Sequence, residues 1–411
     1  MTSFELIAVL LVLTAVFAWI NHRLSVLPHT IGLLVMGLCA SLSVVGAEAI
    51  WPGSILFDDV SKLVEQINFK ATVLDGMLAF LLFAGALHVD FNGLRSRGFT
   101  IGATATLGVV ISTGVIGVCF WLAASALGVD MPLPWALVFG ALVSPTDPVA
   151  VLSTLREVKV PADLEHVIKG ETLFNDGVGV VLFAVLLAAA MGGTLEPLHV
   201  AEMFFIEALG GAVLGAVTGY FAYRAMRAIN DYPIEVLVSL ALVAGTYTLA
   251  ARLGLSGPIA VVVAGLLIGT RGARDAMSAE TERYLFSFWT LIDEILNSVL
   301  FLLIGLEVLI LRYEPSYAAL ALLAVPISLL ARFLAVGSPV MVMGRFRPFA
   351  RGTVPVLTWA GLRGGISVAL ALSIPEVAEK SPILAATYAV VLFTLIVQGL
   401  TLRRVIKWVL K

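Results

Sequence analysis

Two polar clusters interrupt apolar sequence between positions 141 and 183: Ser144-Pro145-Thr146-Asp147-Pro148 and Glu171-Thr172-Leu173-Phe174-Asn175-Asp176. Their carboxylates, threonine hydroxyls and amide are oxygen donors of the kind a hard monovalent cation takes, and a carboxylate can hold that cation or a proton in turn. On insertion scales a charged side chain at membrane depth costs about 2.5–3.5 kcal/mol or more, so such residues mark ion or substrate paths. The chemistry expected here is a site that binds a cation and exchanges it for protons.

The backbone around the first cluster supports this. Pro148 lacks an N–H and turns Asp147 away from helical geometry, and Pro145 does the same to Ser144. A helix broken at mid-membrane leaves carbonyls without donors, and such backbone is tolerated only when buried in protein or lining a wet cavity. A simple proline kink is the plainer reading of one proline; two around Thr-Asp favour a discontinuous helix. A second interruption stands at Gly361-Leu362-Arg363-Gly364-Gly365. Paired broken helices of this kind belong to inverted-repeat transporters. Small-residue packing would explain the glycines but not Arg363.

On a helical wheel, at about 100° per residue, Glu171, Thr172, Asn175 and Asp176 share one face, with Leu173 and Phe174 opposite. Asp176 is expected to alternate between ion and proton. The Thr172 hydroxyl and the Thr146 carbonyl are the expected ligands beside it, with Ser144 a weaker candidate. Asp147 either reaches the ion through water or holds the loop. Glu171 is expected to pair with Arg363, since both charges would otherwise stand alone at depth. Asn175 holds the fold without adding a titratable charge. One exchanging carboxylate is the simplest basis for one-for-one, electroneutral exchange.

The 411 residues are 60% hydrophobic and 13% charged, with mean hydropathy +1.03, which places the chain among polytopic membrane proteins. Thirteen spans are expected, at roughly 4–20, 30–48, 71–89, 100–127, 134–154, 169–191, 203–223, 235–251, 257–270, 284–311, 316–343, 353–373 and 383–402. Span 257–270 is short, 284–311 is long enough to be broken, and 55–70 reads as interfacial. The first run lacks a basic leader region and reads as a retained helix. Segments following odd-numbered spans carry 18 of the 25 Lys and Arg, so the N-terminus is expected outside and the C-terminus in the cytoplasm, in a bacterial inner membrane. Spans 4–6 and 11–13 would form the two repeats, with spans 5 and 12 crossing.

Other intramembrane acids are weaker candidates for ion contact: Asp75, Glu207, Glu294, Glu307, and above all Asp293, one turn from Asn297. The five histidines lie near span ends, where interfacial roles are the plainer reading, although His166 could contribute to pH sensing. Cys39 and Cys119 read as packing residues rather than a disulfide or metal pair. Hydrolysis is disfavoured: Gly254-Leu255-Ser256-Gly257 has no histidine after it, and neither HExxH nor GxGD occurs. A cation channel is the remaining rival from another class.

At Thr146-Asp147-Pro148, Glu171 to Asp176 and Gly361 to Gly365, the chain resembles the NhaP-type sodium/proton antiporters of the cation:proton antiporter-1 family, which also contains the animal sodium/proton exchangers. Asp293 to Asn297 and Phe301 to Glu307 look like the same family. The resemblance implies an all-α homodimer of thirteen helices per chain, with a six-helix core (transport) domain at about 71–191 and 316–402 that moves as an elevator, a dimerisation domain at about 1–70 and 203–311, and no soluble regulatory domain. It further implies that Asp176 exchanges ion for proton, assisted by Thr146, Asp147 and Thr172, with Glu171 and Arg363 paired. The partners it implies are Na⁺ (Li⁺ as a second cation), protons and membrane lipid, with no cofactor and no nucleic acid; potassium/proton exchange by the same machinery is the alternative. Some relatives carry an acid in the third span, where Ala84 stands here; Thr172 replaces their serine and keeps the hydroxyl.

Overall fold

A computed structural model describes residues 3–24, 27–50, 61, 69–89, 98–147, 151, 162–192, 197–309, 315–343 and 352–409. Among them all regular structure is helical. The helices are α1 (Ser3–Leu24), α2 (His29–Ile50), α3 (Ala71–Leu87), α4 (Gly98–Ala126), α5 (Leu133–Val143), α6 (Ala162–Ala190) and α7 (Pro197–Arg227). There follow α8 (Tyr232–Arg252), α9 (Gly257–Asp275), α10 (Ala279–Glu307), α11 (Pro315–Met343), α12 (Thr353–Trp359), α13 (Gly365–Ser373) and α14 (Lys380–Val409). Ten of these are long and apolar enough to cross a bilayer. The short helices α3 and α5, and the interrupted pair α12–α13, fall on the other three expected spans.

Local chemistry explains where expected and observed boundaries differ. The span expected at 284–311 begins earlier, at Ala279, because the Ser278 hydroxyl caps it by accepting from the Thr281 N–H at 3.2 Å. It runs unbroken to Glu307, with no proline or glycine before Gly305. The short ninth span gains length from a π turn, Ile268–Gly272, that carries it on to Asp275. The segment expected to be interfacial, 55–70, lies almost wholly outside the described residues.

The helices pack as two groups. In one, α4–α5–α6 and α11–α14 form two triplets that meet where α4 lies along α11. Each contact in one triplet has a counterpart in the other: α4 with α6 matches α11 with α14, α5 with α6 matches α13 with α14, and α5 with α14 matches α13 with α6. On the thirteen expected spans α4 is the fourth and α11 the eleventh, a count that sets the triplets in opposite directions, as an inverted repeat requires. The other group is α1, α2, α3, α7, α8, α9 and α10, held by α2 on α10, α7 on α9 and α3 on α9. The expectation placed 71–89 with the first group; in the structure α3 packs chiefly on α9 and α10. Contacts between the groups are carried mainly by α6 against α7 and α9, and by α13 against α3 and α10.

Burial separates inner from outer helices. The spanning windows of α6 and α10 are each 61% buried, whereas those of α1 and α7 are only 17% buried and turn apolar residues such as Phe205, Leu209 and Val213 outward. Those faces suit lipid tails or another apolar surface. Cys39 and Cys119 are free thiols.

Candidate ion site at the crossing of two interrupted helices

Helix α5 stops at Val143, and α12 and α13 are separated by unwound residues 360–364. The two interruptions meet: the Asp147 N–H donates to the Leu362 carbonyl at 2.8 Å. Arg363 secures the crossing. Its Nη1 donates to the Pro145 carbonyl at 2.8 Å and also to the Ser144 carbonyl, and its own N–H donates to Thr394 Oγ1 at 3.1 Å. A guanidinium thus caps the carbonyl end of α5, where the helix dipole is negative. Thr394 lies in a π turn of α14, Phe393–Gln398; such turns recur at functional sites.

The crossing depends on the absence of a side chain at Gly364. A Cβ there would lie 2.8 Å from both Cβ and Cγ of Asp147. Gly364→Ala is therefore expected to push the two unwound segments apart, destabilise the protein by about 1–3 kcal/mol, and lower both the melting temperature in detergent and the transport rate.

A cavity of about 540 Å³ runs from this crossing along the boundary between the two helix groups. Asp147 and Asp176 line it together with Pro145, Gly364 and Gly365; α10 contributes Thr290, Asp293, Glu294 and Asn297 to the facing wall. His29, at the start of α2, and His88, just past the end of α3, are exposed and also line the cavity. It therefore reaches the end of the bundle where α2 begins and α3 stops, the end that also carries Arg23 and Arg271.

The structure sorts the residues of the second cluster. Asp176, 3% exposed, faces the cavity, and no described residue donates a hydrogen bond to its carboxylate. Thr172 is buried and donates its hydroxyl to the Ile168 carbonyl at 2.9 Å, which leaves oxygen lone pairs for another partner. Asn175 donates from Nδ2 to Thr146 Oγ1 at 2.7 Å, tying α6 to the unwound segment. Ser144 is occupied by packing, donating to the Gly140 carbonyl at 2.7 Å and standing 3.0 Å from Thr113 Oγ1. Asp147 is 8% exposed and takes part in further polar interactions beyond its backbone bond to Leu362.

Two expectations change. Glu171 forms its ion pair with Nη1 of Arg332, on α11, rather than with Arg363. Arg332 also donates from Nε to the Leu357 carbonyl at 3.3 Å, and Arg363 is turned to the carbonyls of the crossing. Arg332 was legible as the other intramembrane arginine; which arginine reaches Glu171 depends on how α6, α11 and α12 pack. Second, the four polar residues of α6 do not present one surface to the cavity. The cavity stripe is Lys169, Leu173 and Asp176, at helical spacing, so Leu173 lies on the ion side and not opposite it. Glu171 and Asn175 face α11 and the crossing. A broad polar arc on a helix reaches two neighbours, and here it does.

Buried polar atoms with no hydrogen-bond partner among the described residues collect at this place: Glu171 Oε2, Asn175 Oδ1 and Arg363 Nη2. Glu307 and Ser41 lie at the far end of α10, where Ser41 Oγ donates to the Gly305 carbonyl at 3.0 Å. The side chains of Asp75, His166 and His199, and all of Asp90, are outside the described residues.

Two opposed helix triplets whose broken members cross beside a buried carboxylate define a membrane carrier. The chain belongs to the sodium/hydrogen exchanger family, whose transmembrane family model matches residues 9–408. It is 45% identical over 404 residues to the Na⁺/H⁺ antiporter NhaP of Pseudomonas aeruginosa, covering 97% of this chain and 95% of that protein. It is 36% identical over 386 residues to the Na⁺/H⁺ antiporter NhaH of Halobacillus dabanensis, covering 92% and 91%. The fold matches that of the sodium proton antiporter MjNhaP1 from Methanocaldococcus jannaschii at pH 8, with a TM-score of 0.75 at 20% identity and 99% of each chain covered. The resemblance read from the motifs is thus borne out at the level of the family.

Proposed function

We propose that this protein is a secondary active antiporter that exchanges Na⁺ for H⁺ at a single site on Asp176. The observation that carries the reading is the cavity that brings Asp176 and Asp147 together at the crossing of two interrupted helices. Asp176 holds the ion or the proton, never both. The Thr172 hydroxyl and the Thr146 carbonyl complete the oxygen set, Asp147 binds the ion or holds the loop, and Asn175 fixes the distance between α6 and the crossing. One exchanging carboxylate makes the cycle one-for-one and electroneutral. Sodium stands ahead of potassium because the relatives named above are sodium/proton antiporters by name.

The cavity at the boundary between the two groups supports an elevator cycle. The group containing both triplets carries the ion past the other group, which serves as scaffold; the packing of α3 on α9 and α10 supports counting α3 with that scaffold. The outward apolar faces of α1 and α7 supply surface for lipid and for a second copy in a homodimer. With the basic residues in the cytoplasm of a bacterial plasma membrane, the N-terminus lies outside and the cavity opens inward. No resident cofactor takes part.

The test is proton flux in proteoliposomes carrying an internal pH dye, with Na⁺, Li⁺ or K⁺ added outside, with and without a clamped potential. Internal alkalinisation triggered by Na⁺ and indifferent to voltage is the expected result. Voltage-driven proton or cation flux without a counter-ion would favour a channel instead, and a response to K⁺ alone would overturn sodium.

A further inference from the structure

The last turns of α14 present a basic face that the exchange site does not use. Val397 and Leu400 turn outward, and past them Arg404, Lys407 and Trp408 are exposed as well. At about 100° per residue these five side chains fall within one arc of about 100°. Leu402 and Ile406, on the opposite side, are 0% and 1% exposed. They pack in the cluster that also holds Val356 and Leu357 of α12, and Trp359 Nε1 donates to Thr401 Oγ1 at 2.9 Å. The inner face is therefore pinned, and the outer face is held in one orientation. Helix α14 contains no Asp or Glu. Among the described residues, neither Arg404 nor Lys407 forms an ion pair.

Helical rise sets the depth of this face. Lys380 begins the same helix and lies about 36 Å from Arg404 along it, so a hydrocarbon core of about 30 Å fits between the two charges. Lys407 stands about 5 Å further on. Arg404 and Lys407 thus meet the headgroup layer, while Val397 and Leu400 on the same face meet acyl chains. Indole rings prefer that layer, with the ring body in apolar surroundings and the N–H free to donate. A guanidinium matches two phosphate oxygens at once, and an ammonium adds a compact charge beside it.

We propose that Arg404, Lys407 and Trp408 bind the headgroup phosphate of an anionic phospholipid, whose acyl chains lie along Val397 and Leu400. The site is separate from Asp176 and takes no part in the exchange. A zwitterionic lipid is the poorer ligand, because its own ammonium cancels the charge that the two basic side chains attract. Helix α14 also carries Thr394, which accepts the Arg363 N–H at the crossing. A lipid held on its last turns therefore steadies the helix that supports the interrupted pair.

The experiment follows the melting temperature of the purified full chain in detergent as phosphatidylglycerol, or phosphatidylcholine with the same acyl chains, is added. Phosphatidylglycerol is expected to raise it at least about twice as far, since a ligand that binds the folded chain stabilises it. Arg404→Gln/Lys407→Gln should remove most of that preference, and choline chloride should weaken it in the parent by screening. Inorganic phosphate, which lacks acyl chains, should not reproduce the rise. A parent that responds alike to both lipids overturns the proposal, as does a preference undiminished in the double variant or a rise matched by phosphate alone. A second measurement reads position rather than stability, and it decides the matter should the double variant melt low without lipid. In phosphatidylcholine vesicles containing a minor share of brominated lipid, the quenching owed to Trp408 is the difference between the parent and Trp408→Phe. Brominated phosphatidylglycerol should quench it at least about twice as strongly as brominated phosphatidylcholine, because the basic residues beside it enrich the anionic lipid. Equal quenching by the two lipids in the parent, or an excess that persists in Arg404→Gln/Lys407→Gln, also overturns the proposal.

Discussion

Asp176→Asn is expected to abolish sodium-driven proton flux while leaving the fold intact. The side chain is buried, and no described residue hydrogen-bonds to it, so the amide deprives no protein donor of its acceptor. What disappears is the charge that balances the cation and the group that takes the proton. A charge-assisted contact is worth up to about 3 kcal/mol, which on its own predicts a loss of roughly 100-fold; losing the proton carrier as well should bring the flux below detection. The same logic fixes the pH dependence of the parent. On the proposed cycle, proton and cation compete for one carboxylate, so apparent KM for Na⁺ should fall about tenfold per pH unit as pH rises, then level off once the ion-free carboxylate is deprotonated. Flux measured at several pH values in parent and mutant checks both statements. A mutant melting at the parent temperature and still transporting would remove Asp176 from the mechanism.

The second large effect concerns stability. Glu171 is 1% exposed and Arg332 6%, and their ion pair braces α6 against α11, while Arg332 also reaches the carbonyl of Leu357 on α12. Removing one partner of a buried pair leaves an uncompensated charge and costs about 3–5 kcal/mol. Glu171→Gln and Arg332→Met should each lower the melting temperature in detergent markedly, and each should lose transport. The double substitution leaves neither charge stranded and should recover much of the stability. A double-mutant cycle with Arg363→Met in place of Arg332→Met should show weaker coupling to Glu171, because Nη1 of Arg363 is turned to the carbonyls of Ser144 and Pro145 whereas Nη1 of Arg332 meets the Glu171 carboxylate. Stronger coupling to Arg363 than to Arg332 would contradict the pairing of Glu171 with Arg332.

The breaks at 144–147 and 360–364 were readable because proline and glycine act locally: one removes a donor, the other permits close approach of a second backbone. The thirteen expected spans likewise rest on composition, and the helices fall on them. Partners reached across the bundle were less legible. Nothing in the spacing of Glu171, Arg332 and Arg363 says which guanidinium arrives, since that is decided by the tilt and packing of three helices. Leu173 looked apolar and therefore remote, yet a cavity wall needs apolar as well as polar lining. Helix α10 read as a long span that could be broken, because its terminal cap at Ser278 is outside the apolar run.

Both helix groups turn apolar flanks outward, and this makes the bilayer a participant in the force balance. Buried side chains of α1, α2, α3 and α10 pack in one cluster with those of α11 to α14, whereas α7 in one group and α4 in the other turn apolar residues such as Leu209 and Leu122 outward. Mismatch between a span and the hydrocarbon thickness costs fractions of a kcal/mol per Å, and a displacement of one group would change that mismatch for several helices at once. On the proposed elevator cycle, acyl-chain length would act on the same coordinate as the ion, and vesicles of thicker or thinner lipid would present the same carboxylate with a different resting position.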